Sequence, residues 1–380
     1  MAANRRLRDQ RWVLESAIAH DGIEFDQPRL GYYLGIVRDD LAMADRAVLA
    51  RSVRTLGAFV PRVVARARHR EDLALQASAA GHDVTAGTHL FAAACLWELA
   101  QWPIWETTDE LRDIDAHKRS AYEAWAATAD HPVLDIDIPL GSASLPATLH
   151  LPNSSRLADD RGRPPLVVSV PGMDAGRTIS VARVGDPFLE RGVAVLAVDG
   201  PGQHEAAIRG IHTNPQSWAA AGPAVVDAMR SRTDVDADRM VLTGVSFGSF
   251  AASWVAAHCA ETFRGVAVAM PCFEPGLHTM WDTAAPTYLA RHMWMAGIDD
   301  EDEFRSMASG YDLSRVVDRM TLPWFVIGGT ADEVSDAAWV PRLAAAAPGP
   351  TTVVRVLGAR HALTGVDEAV APAWTSMLAD

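Results

Sequence analysis

The sequence predicts an α/β fold in which a mostly parallel, eight-stranded sheet follows an all-helical N-terminal region. Two observations predict it. From Arg11 to Thr128 apolar residues recur at helical spacing, whereas after Asp130 short β-rich runs alternate with helix-like stretches. The chain has 380 residues, 49% of them hydrophobic, which is enough for roughly two units of about 150 residues each. We therefore expect a helical domain at 1–130 and an α/β domain at 131–380.

The helical pattern is clearest in two segments of the N-terminal region. One carries an apolar stripe formed by Leu41, Ala44, Val48 and Leu49. The other, Ala86 to Trp102, is small and apolar almost throughout, which predicts a helix buried between others. Interior packing is the simpler interpretation of Trp97 and Trp102, and a roof over a ligand pocket is the alternative.

Eight runs after the helical region predict the strands of the sheet. The first two alternate like an antiparallel pair, and the later ones are nearly continuous apolar runs, as central parallel strands should be. The predicted strands are Val133–Ile138, Leu145–Leu151, Leu166–Val170, Val193–Val198, Met240–Thr243, Val266–Met270, Trp324–Ile327 and Thr352–Leu357. The stretch 271–322 is too long for one crossover, so we expect extra helices there, beside the site.

Charge and hydropathy limit the partners of the chain. A formal net charge of −14 repels phosphate backbones and anionic lipid heads, so we expect neither a nucleic-acid nor a membrane partner. No run of about 18 apolar residues is present to span a bilayer, and charges interrupt 1–22 where a signal peptide would be apolar. We expect a cytoplasmic protein that binds a small molecule.

The three cysteines, Cys95, Cys259 and Cys272, lie in apolar company. They lack the paired spacing of a structural zinc site, so we interpret them as small buried residues. Neither a metal nor a cofactor is expected.

A candidate nucleophile follows the fifth predicted strand. Gly244-Val245-Ser246-Phe247-Gly248 fits G-x-S-x-G between a strand and a helix of small residues. A serine in so tight a turn needs neighbours without a side chain, which the two glycines supply. At this place among eight strands the motif is typical of the α/β-hydrolase fold, and it predicts Ser246 as the nucleophile.

A serine hydroxyl needs a base, and in this fold an acid and then a histidine follow the serine along the chain. His361 lies just beyond the last strand, whereas His278 and His292 fall inside the extra segment and are interpreted as surface or pocket-wall residues. The loop after the seventh strand offers Asp332 as the acid that orients His361. Glu333 and Asp336 are the competing carboxylates.

An oxyanion hole requires backbone N–H groups beside the serine. We expect one from Phe247 and the other from Met173, in the loop after the third strand. Asp174 follows at once, and a carboxylate there opposes the developing charge unless it is protonated or paired. It is predicted either to bind substrate or move a proton, or to cap the loop and pair with Arg177.

A glycine-rich turn, Asp199-Gly200-Pro201-Gly202-Gln203-His204, follows the fourth strand. It resembles the D-x-P-G-x-G turn common in α/β-hydrolases, with His204 in place of the third glycine. His204 is predicted as a substrate contact, with an ordinary turn residue as the alternative.

These residues and their order resemble a family of α/β-hydrolases with a helical N-terminal domain, typified by 2,6-dihydroxypseudooxynicotine hydrolase and the fungal hydrolases that shorten polyketide pigment precursors. The resemblance covers nearly the whole chain. In the nicotine-degrading relative a glutamate assists the serine, and Asp174 matches its position with one methylene less. The resemblance implies cleavage of carbon–carbon bonds beside ketones, a homodimer, and helices that close over the site.

The leading functional hypothesis is therefore C–C hydrolysis of an aryl-ketone, β-dicarbonyl or polyketide-like molecule. Ester or lactone hydrolysis uses the same residues, and capture of the acyl-enzyme by the substrate would give a transferase or cyclase. A non-catalytic ligand receptor is the alternative from another class. Trp281 and Tyr288, in the Trp- and Met-rich segment Met280 to Met295, and Trp97 are predicted substrate contacts.

Overall fold

The computed structural model describes residues 5–37, 40–154, 162–180, 186–364 and 366. The chain divides into two compact units. The α/β unit contains Leu134–Ala284 and the chain from His292 onward. The helical unit contains the described residues of 5–133 and a short segment of the predicted insertion, Ala285–Arg291.

Among the described residues, seven α-helices form most of the helical unit. Two of them begin at threonine caps: the Thr55 hydroxyl accepts from the Ala58 N–H at 3.2 Å, and the Thr108 hydroxyl from the Leu111 N–H at 3.1 Å. The helices are α1 Arg5–Asp9, α2 Arg11–Asp21, α3 Arg29–Leu34, α4 Asp40–Ser52, α5 Leu56–Ala79, α6 Asp83–Ala100 and α7 Asp109–Ala126. The prediction of an N-terminal helical region is confirmed.

Helix α6 lies in the interior of its unit. Its residues from Phe91 to Ala100 are all buried, because small alanines let neighbouring helices approach on every side. Trp102, just beyond the helix, packs against Phe59, with 5.3 Å between ring centroids, and under the Arg29 guanidinium at 3.5 Å. Thr287, from the insertion segment, donates to the Asp26 carboxylate at 3.2 Å within the same unit.

The α/β unit is built on one sheet of eight strands in the order β1-β2-β4-β3-β5-β6-β7-β8. β2 pairs antiparallel with β4, and the pairs from β4 to β8 are parallel. The strands are β1 Val133–Leu140, β2 Ala143–His150, β3 Pro165–Val170, β4 Ala194–Val198, β5 Asp236–Val245, β6 Val266–Ala269, β7 Trp324–Gly329 and β8 Thr351–Val356. The predicted fold class is confirmed.

One strand is longer than its sequence suggests. β5 begins at Asp236, where it pairs with Pro165 before a shift of register brings Met240 opposite Leu166. Its charged first residues hide this start, since backbone pairing at a strand end does not require apolar side chains.

In the part of the chain that the structure describes, nine helices complete the α/β unit and its insertion. They are α8 Arg177–Ser180, α9 Asp186–Glu190, α10 His204–Ile208, α11 Pro215–Arg230, α12 Phe247–His258, α13 His278–Asp282, α14 Pro286–Ala296, α15 Glu301–Ala308 and α16 Trp339–Ala346. Three of these, α13 to α15, lie within 271–322 together with short 3-10 turns. No helix in the described ranges is long and apolar enough to cross a bilayer.

The strands of the sheet place the candidate site residues. Because β3 to β8 are parallel, their carboxyl ends meet at one edge, and the loops that follow β3, β5, β7 and β8 come together there. A core of branched aliphatic side chains lies beneath this edge and includes Val167, Val195, Val245, Ile327 and Leu363. The edge is therefore a rigid base for polar groups.

Candidate active site

The turn between β5 and α12 holds Ser246 in a strained conformation. Its φ is 55° and its ψ −126°, in a region that residues with a side chain seldom adopt. A Cβ on Gly244 would lie 2.1 Å from the Gly248 carbonyl oxygen, and one on Gly248 would lie 2.3 Å from the carbonyl oxygens of Val170 and Pro171. Only glycine fits at either position, so the local sequence fixes the sharp turn that presents the serine hydroxyl.

His361 joins Ser246 to Asp332. Its Nε2 lies 2.8 Å from the serine Oγ, and its Nδ1 lies 2.8 Å from Asp332 Oδ2. The other oxygen of Asp332 accepts from the N–H groups of Val334, at 2.8 Å, and Ser335, at 3.0 Å. The carboxylate is thereby fixed in position, and it holds the imidazole with Nδ1 protonated and Nε2 ready to accept the serine proton.

Charge around the buried imidazole favours its protonated form. Burial by itself lowers the pKa of His361, but the carboxylates of Asp332, Glu333 and Asp174 outweigh it, and the net shift is upward. Glu333 has a second role, because its Oε2 accepts the backbone N–H of His361 at 2.9 Å. It also pairs with Arg360 at 3.1 Å, half exposed to solvent. Of the competing carboxylates, Glu333 thus supports the histidine loop, whereas Asp332 contacts the ring.

The two backbone segments predicted to supply oxyanion donors lie beside the serine. Phe247 is the first residue of α12, so its N–H has no acceptor within the helix. The loop that carries Met173 also comes close: a Cβ on Gly172 would lie 3.2 Å from the Ser246 Cβ and 3.8 Å from its Oγ. Both backbone segments therefore border the hydroxyl.

Asp174 is buried, and its charge acts on the imidazole of His361. The Arg177 guanidinium is engaged by other groups, namely Asp135, the Ala147 carbonyl, Thr148 and Glu205. The charge of Asp174 thus contributes, after those of Asp332 and Glu333, to the raised pKa of His361.

The remaining predicted substrate contacts occupy different surroundings. His204 Nε2 donates to the Asp174 carbonyl at 3.1 Å, and Trp281 Nε1 donates to the Gly276 carbonyl at 2.7 Å, both side chains being fully buried. Trp97 donates to Glu71 at 2.8 Å inside the helical unit, and Tyr288 is buried in the insertion segment of that unit. Their roles toward substrate stay predictions.

Two residues at the site were missed by sequence reasoning. Cys272 is fully buried with its Sγ 3.9 Å from Ser246 Oγ, and burial raises the pKa of its thiol. Gln203 is fully buried and donates to the carbonyl oxygens of Pro171 and Gly172. Its place beside His204 in the glycine-rich turn was the available signal. In the described part of the chain, no cluster of His, Cys, Asp and Glu is arranged to hold a metal ion.

Comparison with known proteins identifies the class. The prolyl oligopeptidase family model matches residues 186–362, which include Ser246, Asp332 and His361. The structure of 2,6-dihydroxy-pseudo-oxynicotine hydrolase superposes with a TM-score of 0.76 at 21% identity, covering 92% of this chain and 93% of that one. AbyA5 superposes with a TM-score of 0.68 at 15% identity, covering 92% and 99%. The chain has the α/β-hydrolase fold, preceded by a helical N-terminal region.

Two relatives in sequence agree with the predicted resemblance. Hydrolase ORFZ of Pyricularia oryzae is 31% identical over 203 residues, covering 49% of this chain and 44% of the relative. The 2,6-dihydropseudooxynicotine hydrolase of Paenarthrobacter nicotinovorans is 24% identical over 259 residues, covering 67% and 66%. The chain thus matches less than two thirds of the length of either relative. Within its class it is similar to these hydrolases.

The charge of Glu333 should contribute to the pH at which activity is lost. A base must be neutral to accept a proton, so activity falls as pH drops through the pKa of His361, which stands above the usual 6.5. Glu333→Gln keeps an acceptor for the His361 N–H but removes the charge, so the acidic limb of kcat/KM should move to lower pH. Asp336→Asn makes the same charge change in the same loop and should leave the limb in place. An acidic limb of kcat/KM at the same pH in wild type, Glu333→Gln and Asp336→Asn would contradict the role assigned to the charge of Glu333.

Gly248, two residues after Ser246, should tolerate no side chain. Gly248→Ala places a methyl group on two carbonyl oxygens, and we expect a loss of about 1–3 kcal/mol in the free energy of unfolding together with slower labelling of Ser246 by a fluorophosphonate. Gly57→Ala, in α5, meets nothing within 4 Å and should be neutral or slightly stabilising. Urea unfolding and labelling rates measure both effects, and wild-type behaviour of Gly248→Ala would refute the close packing.

Proposed function

We propose that this chain is a serine hydrolase that cleaves the carbon–carbon bond beside a ketone in an aryl-ketone, β-dicarbonyl or polyketide-like small molecule. The observation that carries the proposal is the hydrogen-bonded chain from Ser246 Oγ through His361 to Asp332, with 2.8 Å at both contacts of the ring. That arrangement suits acyl transfer, because it couples a weak nucleophile to a base and the base to an orienting acid. The likeness to 2,6-dihydropseudooxynicotine hydrolase supports hydrolysis as the reaction class, and the family resemblance of the sequence implies the carbon–carbon bond.

Ser246 Oγ attacks the ketone carbon while its proton passes to His361 Nε2. The carbonyl oxygen becomes an oxyanion, held by the N–H groups of Met173 and Phe247. Collapse of this intermediate breaks the bond to the neighbouring carbon. The departing carbanion, stabilised by its own carbonyl or aryl group, takes the proton from His361 and leaves as the first product.

The acyl-enzyme is then hydrolysed. Water attacks the ester carbon and gives its proton to His361, and the second collapse returns that proton to Ser246 as the carboxylic acid leaves. Overall one water is consumed, and its oxygen is found in the acid. Ester and lactone hydrolysis follows the same steps with an alkoxide or phenolate as the leaving group.

The carboxylate of Asp174 acts on the carbon-leaving step in this proposal. A carbanion is a poorer leaving group than a phenolate, so its departure depends more on prompt protonation by His361. The charge of Asp174 contributes to the raised pKa of that imidazole, so the proton taken from Ser246 stays on His361 until the bond to the carbanion breaks. Removing the charge of Asp174 should therefore slow ketone cleavage more than ester cleavage.

A panel of 1,3-diketones, aryl esters and lactones tests the proposal, run with wild type, Ser246→Ala and Asp174→Asn. We expect diketone cleavage to a carboxylate and a ketone, a loss on the order of 10⁴-fold or more in kcat for Ser246→Ala, and a larger loss for Asp174→Asn on diketones than on esters. Products and rates are followed by chromatography, with folding checked by circular dichroism.

Labelled water separates the alternatives. One ¹⁸O atom in the carboxylate product is the expected result, and an unlabelled product would indicate transfer to a substrate hydroxyl or carbanion instead. Full activity in Ser246→Ala would refute the mechanism. A folded wild-type protein that neither turns over any substrate nor reacts with a fluorophosphonate at Ser246 would indicate a ligand receptor.

A further inference from the structure

The glycine-rich turn after β4 forms hydrogen bonds to the loop after β3. We call residues 171–177 the β3 loop and residues 199–204 the β4 turn. The side-chain amide of Gln203 reaches across, and its Nε2 donates to the carbonyl oxygens of Pro171 at 2.5 Å and Gly172 at 3.2 Å. Its Oε1 accepts the Gly200 N–H within the turn at 2.9 Å. The partners fix the orientation of the amide, because an N–H can only donate and carbonyls can only accept.

Two further contacts fasten the same loop to the same turn. His204 Nε2 donates to the Asp174 carbonyl at 3.1 Å. At the far end of the loop, the Arg177 N–H donates to Asp199 Oδ1 at 2.7 Å. All three side chains of the turn are fully buried, so water does not compete with these hydrogen bonds. Four main-chain groups of the β3 loop are therefore hydrogen-bonded to side chains of the β4 turn.

The turn that makes these contacts is itself held rigidly. Gly202 has a φ of 83°, and a Cβ there would lie 2.8 Å from the Met295 carbonyl oxygen. A Cβ on Gly200 would lie 2.1 Å from the Trp218 ring. Backbone in such close contact on two sides leaves Gln203 and His204 little room to shift.

The hold on Gly172 determines where Met173 directs its N–H. The peptide joining them is trans, so its carbonyl and its N–H point in opposite directions. Gln203 binds the carbonyl, which turns the Met173 N–H away from the β4 turn. Gly172 also borders Ser246, with 3.2 Å between its ideal Cβ position and the serine Cβ. A fixed carbonyl at Gly172 therefore fixes the direction of the Met173 N–H next to the serine.

We propose that Gln203 is a positioning residue of the oxyanion hole, which fixes the peptide between Gly172 and Met173 so that its N–H faces the tetrahedral intermediate. The inference rests on the proposed function, since it assigns Gln203 a role in the acyl-transfer chemistry of Ser246. A donor that is already aimed stabilises the transition state without reorganisation, whereas a mobile one must be ordered during the reaction. Loss of the amide should therefore slow the chemical step and leave ground-state binding nearly unchanged.

Phosphonylation of Ser246 by a fluorophosphonate tests the proposal without knowledge of the substrate. In that reaction Oγ bonds to phosphorus, fluoride leaves, and His361 accepts the serine proton, while negative charge grows on the phosphoryl oxygen. For Gln203→Met we expect the maximal labelling rate to fall on the order of 10- to 100-fold, with the half-saturating concentration changed less than about threefold.

Gln101→Met is the matched control. Gln101 is another fully buried glutamine, whose Nε2 donates to Asp115 at 3.1 Å in the helical unit, so the same exchange removes a buried hydrogen bond without touching the β3 loop. Its labelling rate should stay within about twofold of wild type at a comparable loss of thermal stability. A wild-type rate in Gln203→Met, or equal losses in the two variants, would overturn the proposal.

Gln203→Glu provides a second readout if Gln203→Met does not fold. A protonated carboxyl group can still accept from Gly200 and donate to the carbonyls, whereas a carboxylate would repel them. The labelling rate of Gln203→Glu divided by that of wild type should therefore rise as pH falls, and the ratio cancels the titration of His361. A ratio independent of pH would overturn the inference. Absence of labelling at Ser246 in the wild type would instead refute the proposed function.

Discussion

Backbone contact at the strained serine turn is the constraint on which the rest of the site depends. The turn can form only because Gly244 and Gly248 allow main chain to lie directly on main chain, and this contact brings the end of β3 against the start of α12. One steric feature thus sets the position of the nucleophile and of both segments that border it. The strain is tolerated because β5 and α12 are buried on both sides of it.

The electrostatics of the site are arranged around a single buried ring. Three carboxylates surround His361, and they differ in what they do. Asp332 fixes the ring, Glu333 fixes the backbone that carries it, and Asp174 approaches from the β3 loop. This distribution stabilises an imidazolium, which is the species present whenever a proton is in transit between nucleophile and leaving group.

The sequence predicts those parts of the structure that depend on local patterns. Alternating or continuous apolar runs located all eight strands, and the glycine spacing around Ser246, together with chain order, selected side chains that meet in the structure at 2.8 Å. Contacts between distant segments carried no such signal. Gln203 donates a hydrogen bond to a carbonyl oxygen 32 positions away in the chain, and the sequence around Cys272 is that of any small buried residue. The inclusion of Ala285–Arg291 in the helical unit was equally hidden, because it depends on packing rather than on periodicity.

The buried thiol of Cys272 determines how the site responds to oxidants and alkylating agents. Its Sγ lies 3.9 Å from Ser246 Oγ, yet burial and the nearby charge of Asp332 hold the pKa of the thiol far above its ordinary value. Oxidants and alkylating agents attack the thiolate, so a sulfur that stays protonated is inert to them. Cys272 therefore places a soft, polarizable sulfur beside Ser246 that resists peroxide and does not compete with the serine for an incoming electrophile.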